Sequence, residues 1–243
     1  MSHHFSSLKT YFRNTNTLLY SYLISLPLLL LYEVLIFISQ PDSSQVVRIS
    51  VDVWIKSLFS NFGQDVLSIT LIFVALLGMY ILYRDRSKLR TLNISYFFLM
   101  IAEATVYAYL LALLISQTLD ALLQVVQVQP MESLTTLQQL ALSLGAGLYE
   151  ELFFRVILVS ALIFVFKYLF SKKWMAVTSA VLLAAAIFSA VHYIGVLGDP
   201  FTFGSFLFRF LFGLALNGIY VWRGFGLAAW THAIYDIMVV AFM

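Results

Sequence analysis

A series of long apolar runs constrains this chain more than any other feature. A helix of about 20 apolar residues crosses the hydrocarbon core of a bilayer while satisfying its own backbone hydrogen bonds. The sequence is 62% hydrophobic with a mean hydropathy of +0.93, outside the range of soluble proteins. We therefore predict an all-α, polytopic transmembrane helical bundle of about seven to eight spans. The spans are predicted at about 18–39, 66–83, 94–116, 148–170, 174–194, 203–222 and 225–242, and 133–147 is an additional apolar helix that lengthens the fourth span or forms a partial pass.

No repeat, low-complexity run or linker divides the chain, so we expect a single membrane domain over residues 1–243. Residues 1–17 are polar, and the long first apolar run lacks a small-residue cleavage site, which indicates a retained span rather than a signal peptide. Residues 40–65 form the one sizeable segment that does not span. Its apolar residues recur at helical spacing opposite its polar residues, which predicts an amphipathic helix at the membrane interface. The apolar set is Val51, Trp54, Ile55, Leu58, Phe59 and Phe62, and the polar set is Asp52, Lys56 and Asn61.

The loop charges predict how the bundle lies in the membrane. Basic residues precede the first span and follow the second, fourth and sixth, whereas the segments 117–132 and 195–202 contain none. The positive-inside rule then places the N-terminus in the cytoplasm and the C-terminus outside. We expect a multi-pass protein of the bacterial inner membrane, surrounded by lipid. The basic residues concerned are Lys9, Arg13, Arg84, Arg86, Lys88, Arg90, Lys172, Lys173 and Arg223.

Two counts exclude other classes of function. The formal net charge of +2 is too small to predict nucleic-acid binding. The absence of cysteine excludes disulfides, a thiol nucleophile and a cysteine-ligated metal.

Two adjacent carboxylates and an arginine interrupt the fourth apolar run, in the stretch Leu148-Tyr-Glu-Glu-Leu-Phe-Phe-Arg155. Each charge at the bilayer centre costs roughly 2.5–3.5 kcal/mol, so such a cluster indicates a function. Glu151 and Arg155 are four residues apart, about 40° around a helix, with the acid N-terminal to the base, which predicts an ion pair. Glu150 lies about 140° from Arg155 and has no such partner. We predict that Glu151 is structural and that Glu150 is available for proton chemistry.

Other polar residues in the spans have simpler interpretations. Glu33 and Glu103 are lone acids in the first and third spans, and we expect a neighbouring hydroxyl or Arg209 to satisfy each. Arg209 and Asn217 lie eight residues apart on the sixth span, close to one face, and are interpreted as contacts between helices.

Two histidines complete the candidate site. His192 follows Phe188 by one helical turn, which predicts an aromatic ring against the imidazole. His232 and Asp236 are again four residues apart, so the carboxylate can orient the ring. Buried ionisable groups on three spans favour a functional site over coincidence.

The polar residues of the sequence also exclude several known protease mechanisms. The sequence contains no His-Glu-x-x-His, as in zinc membrane proteases, and no Gly-x-Ser-x-Gly elbow. A pair of intramembrane aspartates is not supported either, because Asp199 lies in a loop. A carboxylate base with two imidazoles remains, a set suited to activating water against an amide.

Three motifs in this order, Glu150-Glu151-x-x-x-Arg155, Phe188-x-x-x-His192 and His232-x-x-x-Asp236, resemble those of the CPBP family. This family comprises the type II CAAX prenyl endopeptidases and the bacteriocin-processing or immunity proteins, also called Abi. The resemblance covers about 148–240, and we expect a motif-bearing core over 133–243. It implies an intramembrane endopeptidase in which Glu150 activates the attacking water with help from His192, while His232 and Asp236 stabilise the oxyanion. Glu151, Arg155 and Phe188 would support these groups.

Asp236 departs from the asparagine of the better-understood eukaryotic members. An ionised Asp cannot donate a hydrogen bond to an oxyanion, so its role is either to orient His232 or, if kept protonated, to donate directly. We favour the ionised form, because His232 is one turn away.

The resulting function hypothesis is hydrolysis of a peptide bond in a membrane-associated protein or peptide. No cofactor and no metal are expected, since the pattern offers no standard zinc triad. The alternative is a catalytically silent family member that serves as a membrane scaffold, complex subunit or immunity factor. Such a protein would act through partners in a membrane complex.

Overall fold

A computed structural model describes residues 2–40, 47–60, 66–123, 134–194 and 198–242. These residues form ten helices and no strand. Parts of the predicted segments 40–65, 117–132 and 195–202 lie outside the described residues. The helices are α1 Ser2–Thr15, α2 Leu18–Ser39, α3 Ser50–Ser60, α4 Val66–Arg84, α5 Arg86–Leu89, α6 Ile94–Leu123, α7 Thr136–Leu169, α8 Lys173–Val191, α9 Phe203–Arg223 and α10 Phe225–Phe242.

Six of these helices, α2, α6, α7, α8, α9 and α10, are long and apolar enough to cross a membrane. A shorter apolar stretch, Leu71–Arg84, lies in α4 at the position of the predicted second span. The predicted polytopic all-α bundle is therefore confirmed. The six spanning helices and the shorter stretch in α4 agree approximately with the predicted seven to eight spans. The apolar residues at 133–147 lengthen the fourth span, because α7 continues without a break for 34 residues. At about 1.5 Å per residue α7 is roughly 50 Å long, more than a hydrocarbon core of about 30 Å requires.

The last helix, α10, packs against α2, α6, α7 and α9 and forms the centre of the bundle. Its alanines at 228, 229 and 233 are fully buried, and small residues of this kind let helix backbones approach closely. Gly147 of α7 makes one such close approach to α10. A Cβ added there would lie 2.6 Å from both the Ala229 carbonyl oxygen and the Ala233 Cβ. This contact brings the helix that carries the paired glutamates against the helix that carries His232.

Polar contacts show which helix ends lie together. The Tyr20 hydroxyl accepts a hydrogen bond from the Asn93 backbone N–H, and the Arg223 guanidinium reaches Thr15 at 3.0 Å. The starts of α2 and α6 and the end of α9 therefore share one end of the bundle. The basic segment between α4 and α6 adjoins Asn93 at this end, and the antiparallel packing of α8 on α9 brings Lys173 there too. This gathering of basic residues agrees with the charge pattern used to predict the orientation.

The two lone acids both have partners. Glu103 accepts hydrogen bonds from Tyr11, Tyr107 and Arg223, with the Arg223 Nε 2.6 Å from Oε1. Arg48 forms an ion pair with Glu33 at 3.1 Å. Hydroxyl partners were expected, but the prediction that Arg209 serves either acid is wrong. Arg209 instead binds Asp199 and Tyr193 near the end of α8. The sequence shows that Arg209 lies on α9 but does not show which neighbouring groups it faces.

Asn217 behaves as predicted. Its side-chain amide in α9 donates to the Val181 carbonyl of α8 at 2.9 Å, which joins two helices.

One prediction about α3 is wrong. Asp52 was placed on the polar face of an interfacial helix, yet its side chain is completely buried. It accepts hydrogen bonds from the Tyr32 hydroxyl at 2.7 Å and from Arg48 at 3.0 Å. These partners compensate the buried carboxylate and tie α3 to α2, whereas Trp54 on the predicted apolar face is partly exposed.

Candidate functional site

The paired glutamates lie where α7 leaves regular α-helical geometry. The segments Ala146–Glu150 and Leu152–Val159 have the wider π-helical turn, with Glu151 between them. Such turns are rare and occur often at functional sites. Glu150, Glu151 and Arg155 therefore occupy a locally widened part of an otherwise continuous membrane helix.

The predicted ion pair between Glu151 and Arg155 is present. Arg155 Nη1 lies 2.8 Å from Glu151 Oε1, and both side chains are completely buried. The alignment is too poor for a hydrogen bond, and the guanidinium has no well-aligned acceptor among the described residues. Its face instead lies over the Phe188 ring, 4.6 Å from the centroid. Charge attraction and a cation–π contact thus compensate the buried arginine.

Glu151 has a second partner that the sequence did not reveal. His232 Nδ1 lies 2.7 Å from the same Oε1 atom, across 81 residues of sequence. Because a carboxylate accepts, the Nδ1–H of His232 donates. Asp236 contacts the other ring nitrogen, with Oδ2 3.4 Å from Nε2. Glu151 is therefore the nearer carboxylate that orients His232, and the predicted contact with Asp236 is the longer one.

The second motif places an aromatic ring between the two histidines. The Phe188 ring packs edge-to-face on His192 at 4.9 Å between centroids, as predicted, and lies 6.5 Å from the His232 ring. Gly213 of α9 makes room for it, because an added Cβ would lie 2.7 Å from Phe188 Cδ1. The sequence analysis did not identify Gly213, and only its packing shows its role.

The contacts of His192 define its tautomer. Its Nδ1 lies 2.7 Å from the Phe188 carbonyl oxygen, and a carbonyl only accepts, so Nδ1 carries the proton. Among the described residues no carboxylate contacts this imidazole, so the neutral ring fits the surroundings best. The Nε2 of His192 then has a free lone pair that can accept a hydrogen bond.

Glu150 and His192 line the same cavity, which has a volume of about 370 Å³. Glu150 makes no hydrogen bond or ion pair within the described part of the chain, in contrast to Glu151. Phe154, Val191 and Ile194 provide apolar wall around the two polar groups. The cavity therefore holds an unpartnered carboxylate and an imidazole with a free lone pair, while His232 and Asp236 lie outside its lining.

One wall of the cavity comes from the first half of the chain. Arg48, Val51 and Trp54 line it, although the sequence analysis predicted only an interfacial role for this segment. Arg48 lies outside the spanning helices. Desolvation lowers its pKa, but the hydrogen bonds to Glu33 and Asp52 and the charge of Glu33 outweigh this effect and raise the pKa of Arg48 above its usual value. In the sequence, the lone acid Glu33 within the first span was the feature that indicated a polar contact of this kind.

The sequence analysis predicted a site without a metal ion. Among the described residues, no three His, Asp or Glu side chains converge in an arrangement that could hold a metal ion. Catalysis without a metal stays a prediction.

The fold and the site define a class of protein: a polytopic helical membrane protein with a buried cluster of carboxylates and imidazoles beside a cavity. A family comparison is more specific. Residues 132–238 match the family described as type II CAAX prenyl endopeptidase Rce1-like. The resemblance predicted from the three motifs is thus confirmed, and the matched part contains all of them. The match supports a CAAX-type intramembrane protease fold in lipid surroundings with a protein or peptide substrate. No curated protein and no solved structure matches the chain.

Proposed function

We propose that this protein is an intramembrane endopeptidase that hydrolyses a peptide bond of a membrane-associated protein or peptide with water activated by Glu150. The observation that carries the proposal is the contrast between the adjacent glutamates. Glu151 is bound by Arg155 and His232, whereas Glu150 has no partner in the described structure and faces the cavity. An unpaired carboxylate in a membrane helix is energetically costly, so its presence indicates a functional role.

The proposed reaction uses Glu150 as a general base and then as a general acid. Water held between Glu150 and the Nε2 of His192 gives a proton to the Glu150 carboxylate as its oxygen attacks the carbonyl carbon. The resulting tetrahedral intermediate carries negative charge on the former carbonyl oxygen. Glu150 then passes the proton to the leaving nitrogen, and the carbon–nitrogen bond breaks to give a carboxylic acid and an amine.

His232 and Asp236 are proposed to stabilise the oxyanion. The Nδ1–H of His232 is engaged by Glu151, so Nε2 is the ring edge that remains for this task, and it donates to the oxyanion in the doubly protonated ring. Asp236 adjoins that edge at 3.4 Å. In its ionised form Asp236 would hold the ring rather than donate to the intermediate itself.

We further propose that the N-terminus is cytoplasmic, in the bacterial inner membrane, and that the cavity opens towards the opposite side. Support comes from the bundle ends. The basic segment between α4 and α6 lies at the end that holds the start of α2, whereas Arg48 and Asp199 line the cavity near the ends of α2 and α8. The cavity and the basic segment between α4 and α6 thus occupy opposite ends of the bundle.

A comparison of protein termini tests the catalytic proposal. Cells that lack the native protein would produce the wild type, Glu150→Gln or Ser143→Ala, and the termini of all membrane proteins would be compared by mass spectrometry. The amide keeps the shape of Glu150 but cannot take a proton from water. Ser143 is a matched control, because it lies on the same helix and bonds only the Gln139 carbonyl in the described structure.

We expect Glu150→Gln to abolish specific cleaved termini that both the wild type and Ser143→Ala generate. A Glu150→Gln protein that is present at wild-type amounts and yields the same termini would refute peptidase activity. A growth or assembly phenotype with unchanged termini would instead favour the membrane scaffold.

A further inference from the structure

The turn that carries His192 is held from the neighbouring helix by a cluster of polar groups. His192 follows the last residue of α8, and its carbonyl accepts a hydrogen bond from the Asp199 N–H at 2.9 Å. This bond joins the two sides of the segment that leads to α9. Gly198 and Asp199 also line the cavity, so these two residues before α9 form part of its wall.

Arg209 of α9 contacts both sides of this segment. Its Nη2 forms an ion pair with Asp199 Oδ2, while its Nη1 donates to the Tyr193 hydroxyl at 2.9 Å and also binds Ser205. The Tyr193 hydroxyl lies 2.8 Å from the Ser205 hydroxyl, and the guanidinium also lies near the Tyr193 ring. Tyr193 is the residue immediately after His192.

We infer that Arg209 is a positioning residue that holds the imidazole of His192 in its working orientation and tautomer. The inference rests on the proposed function, since His192 is assigned there to the water-activating pair. A planar guanidinium presents its donors in a fixed fork and can hold two groups in set directions, whereas a lysine ammonium is one compact group on a flexible stem. Arg209 uses this property to hold the residue after His192 and the residue bonded to the His192 carbonyl. The ring then keeps Nδ1–H on the Phe188 carbonyl and Nε2 towards the cavity.

A purely structural role would look different. Asn217 also joins α9 to α8, but it bonds Val181, ten residues before Val191 on α8 and far from the turn. Loss of the Asn217 contact should loosen the two helices without turning the imidazole. Loss of the Arg209 contacts should release the turn itself. Asn217→Leu is therefore a matched control on the same helix.

The tautomer of His192 provides a readout that does not need a known substrate. The chain has four histidines, and replacing His3 and His4 with alanine leaves only His192 and His232. The protein would be labelled with ¹³C,¹⁵N-histidine in lipid nanodiscs, and His192→Gln would assign the signals. In the wild type we expect the ring carbon and nitrogen shifts of the Nδ1–H tautomer for His192. We expect the same in Asn217→Leu and a mixture of tautomers in Arg209→Gln.

Cleavage rates should parallel the tautomer measurements: close to wild type in Asn217→Leu and reduced in Arg209→Gln. Displacement of a catalytic group by about 1 Å can cost about a hundredfold in rate, so we expect Arg209→Gln to lower cleavage tenfold to a hundredfold. Arg209→Lys should be intermediate, because an ammonium keeps the charge that pairs with Asp199 but lacks the fixed fork that holds Asp199 and Tyr193 in set directions. If Arg209→Gln yields too little folded protein, Tyr193→Phe removes one contact and keeps the charges. It should still broaden or shift the His192 signal.

A pure Nδ1–H tautomer for His192 in both Arg209→Gln and Tyr193→Phe would overturn the inference, as would an equal shift in Asn217→Leu. Full cleavage by Arg209→Gln, where Glu150→Gln is inactive, would also overturn it while leaving the proposed function intact. If Glu150→Gln changes no termini, the proposed function fails, and the tautomer measurement still decides whether Arg209 orients the ring.

Discussion

Substituting Glu151 and Glu150 separately should give opposite results, although each change is a single glutamate to glutamine. Glu151 Oε1 contacts both Arg155 Nη1 and His232 Nδ1, and the Glu151 and Arg155 side chains are fully buried. Glutamine can still accept from the His232 Nδ1–H, but it leaves the charge of Arg155 uncompensated. Breaking a buried ion pair by removing one partner costs about 3–5 kcal/mol. For a chain of this size that corresponds to roughly 10 °C in Tm.

Glu150→Gln removes no contact within the described residues, so its free energy of unfolding should stay within about 1 kcal/mol of the wild type. The assay is thermal unfolding in one detergent, followed by intrinsic fluorescence and by the fraction that remains monodisperse. The terminus comparison is run on the same variants. We expect Glu150→Gln to be folded and inactive, and Glu151→Gln to be unstable.

The double variant Glu151→Gln with Arg155→Met separates charge from shape. Arg155→Met alone should be destabilised, because it leaves Glu151 without its cation. Together the two changes remove both charges and keep an acceptor for His232, so the double variant should recover part of the lost stability. Equal losses of Tm in Glu150→Gln and Glu151→Gln, or strictly additive losses in the double variant, would refute this reasoning.

Three further predictions concern packing, orientation and the third motif. Gly147→Val should lower the Tm and the cleavage rate, because the valine Cβ would clash with the Ala229 carbonyl oxygen and the Ala233 Cβ. Unchanged thermal unfolding would show that α7 and α10 are farther apart than in this structure. A reporter fused after Met243 should be non-cytoplasmic and one inserted near Ser87 cytoplasmic, and finding both on one side would contradict the predicted orientation. Asp236→Asn should lower cleavage about tenfold, because it weakens the longer of the two contacts that hold His232. Wild-type activity of Asp236→Asn would show that Asp236 acts as a hydrogen-bond donor, a role that the asparagine amide can take over.

Residues on one helix were predictable where the spacing alone decides the contact. The pair Glu151 and Arg155 and the contact of Phe188 with His192 both follow from a four-residue separation. The apolar residues before the motif left two alternatives, a longer fourth span or a partial pass, and the continuous helix shows the first. Asp52 on α3 was mispredicted, because a helical pattern shows two faces but does not show that another helix supplies partners for the polar one.

The sequence by itself determined that this chain is a bundle of membrane helices, since apolar runs of this length can satisfy their backbone in lipid only as helices. It also determined which ionisable residues share a helix face. Only the tertiary structure decided that Glu151 bonds His232, that α3 forms a wall of the cavity and that Arg209 holds the turn after His192. Contacts between helices depend on how closely and at what rotation they pack, which is set by local fits such as Gly147 against Ala229.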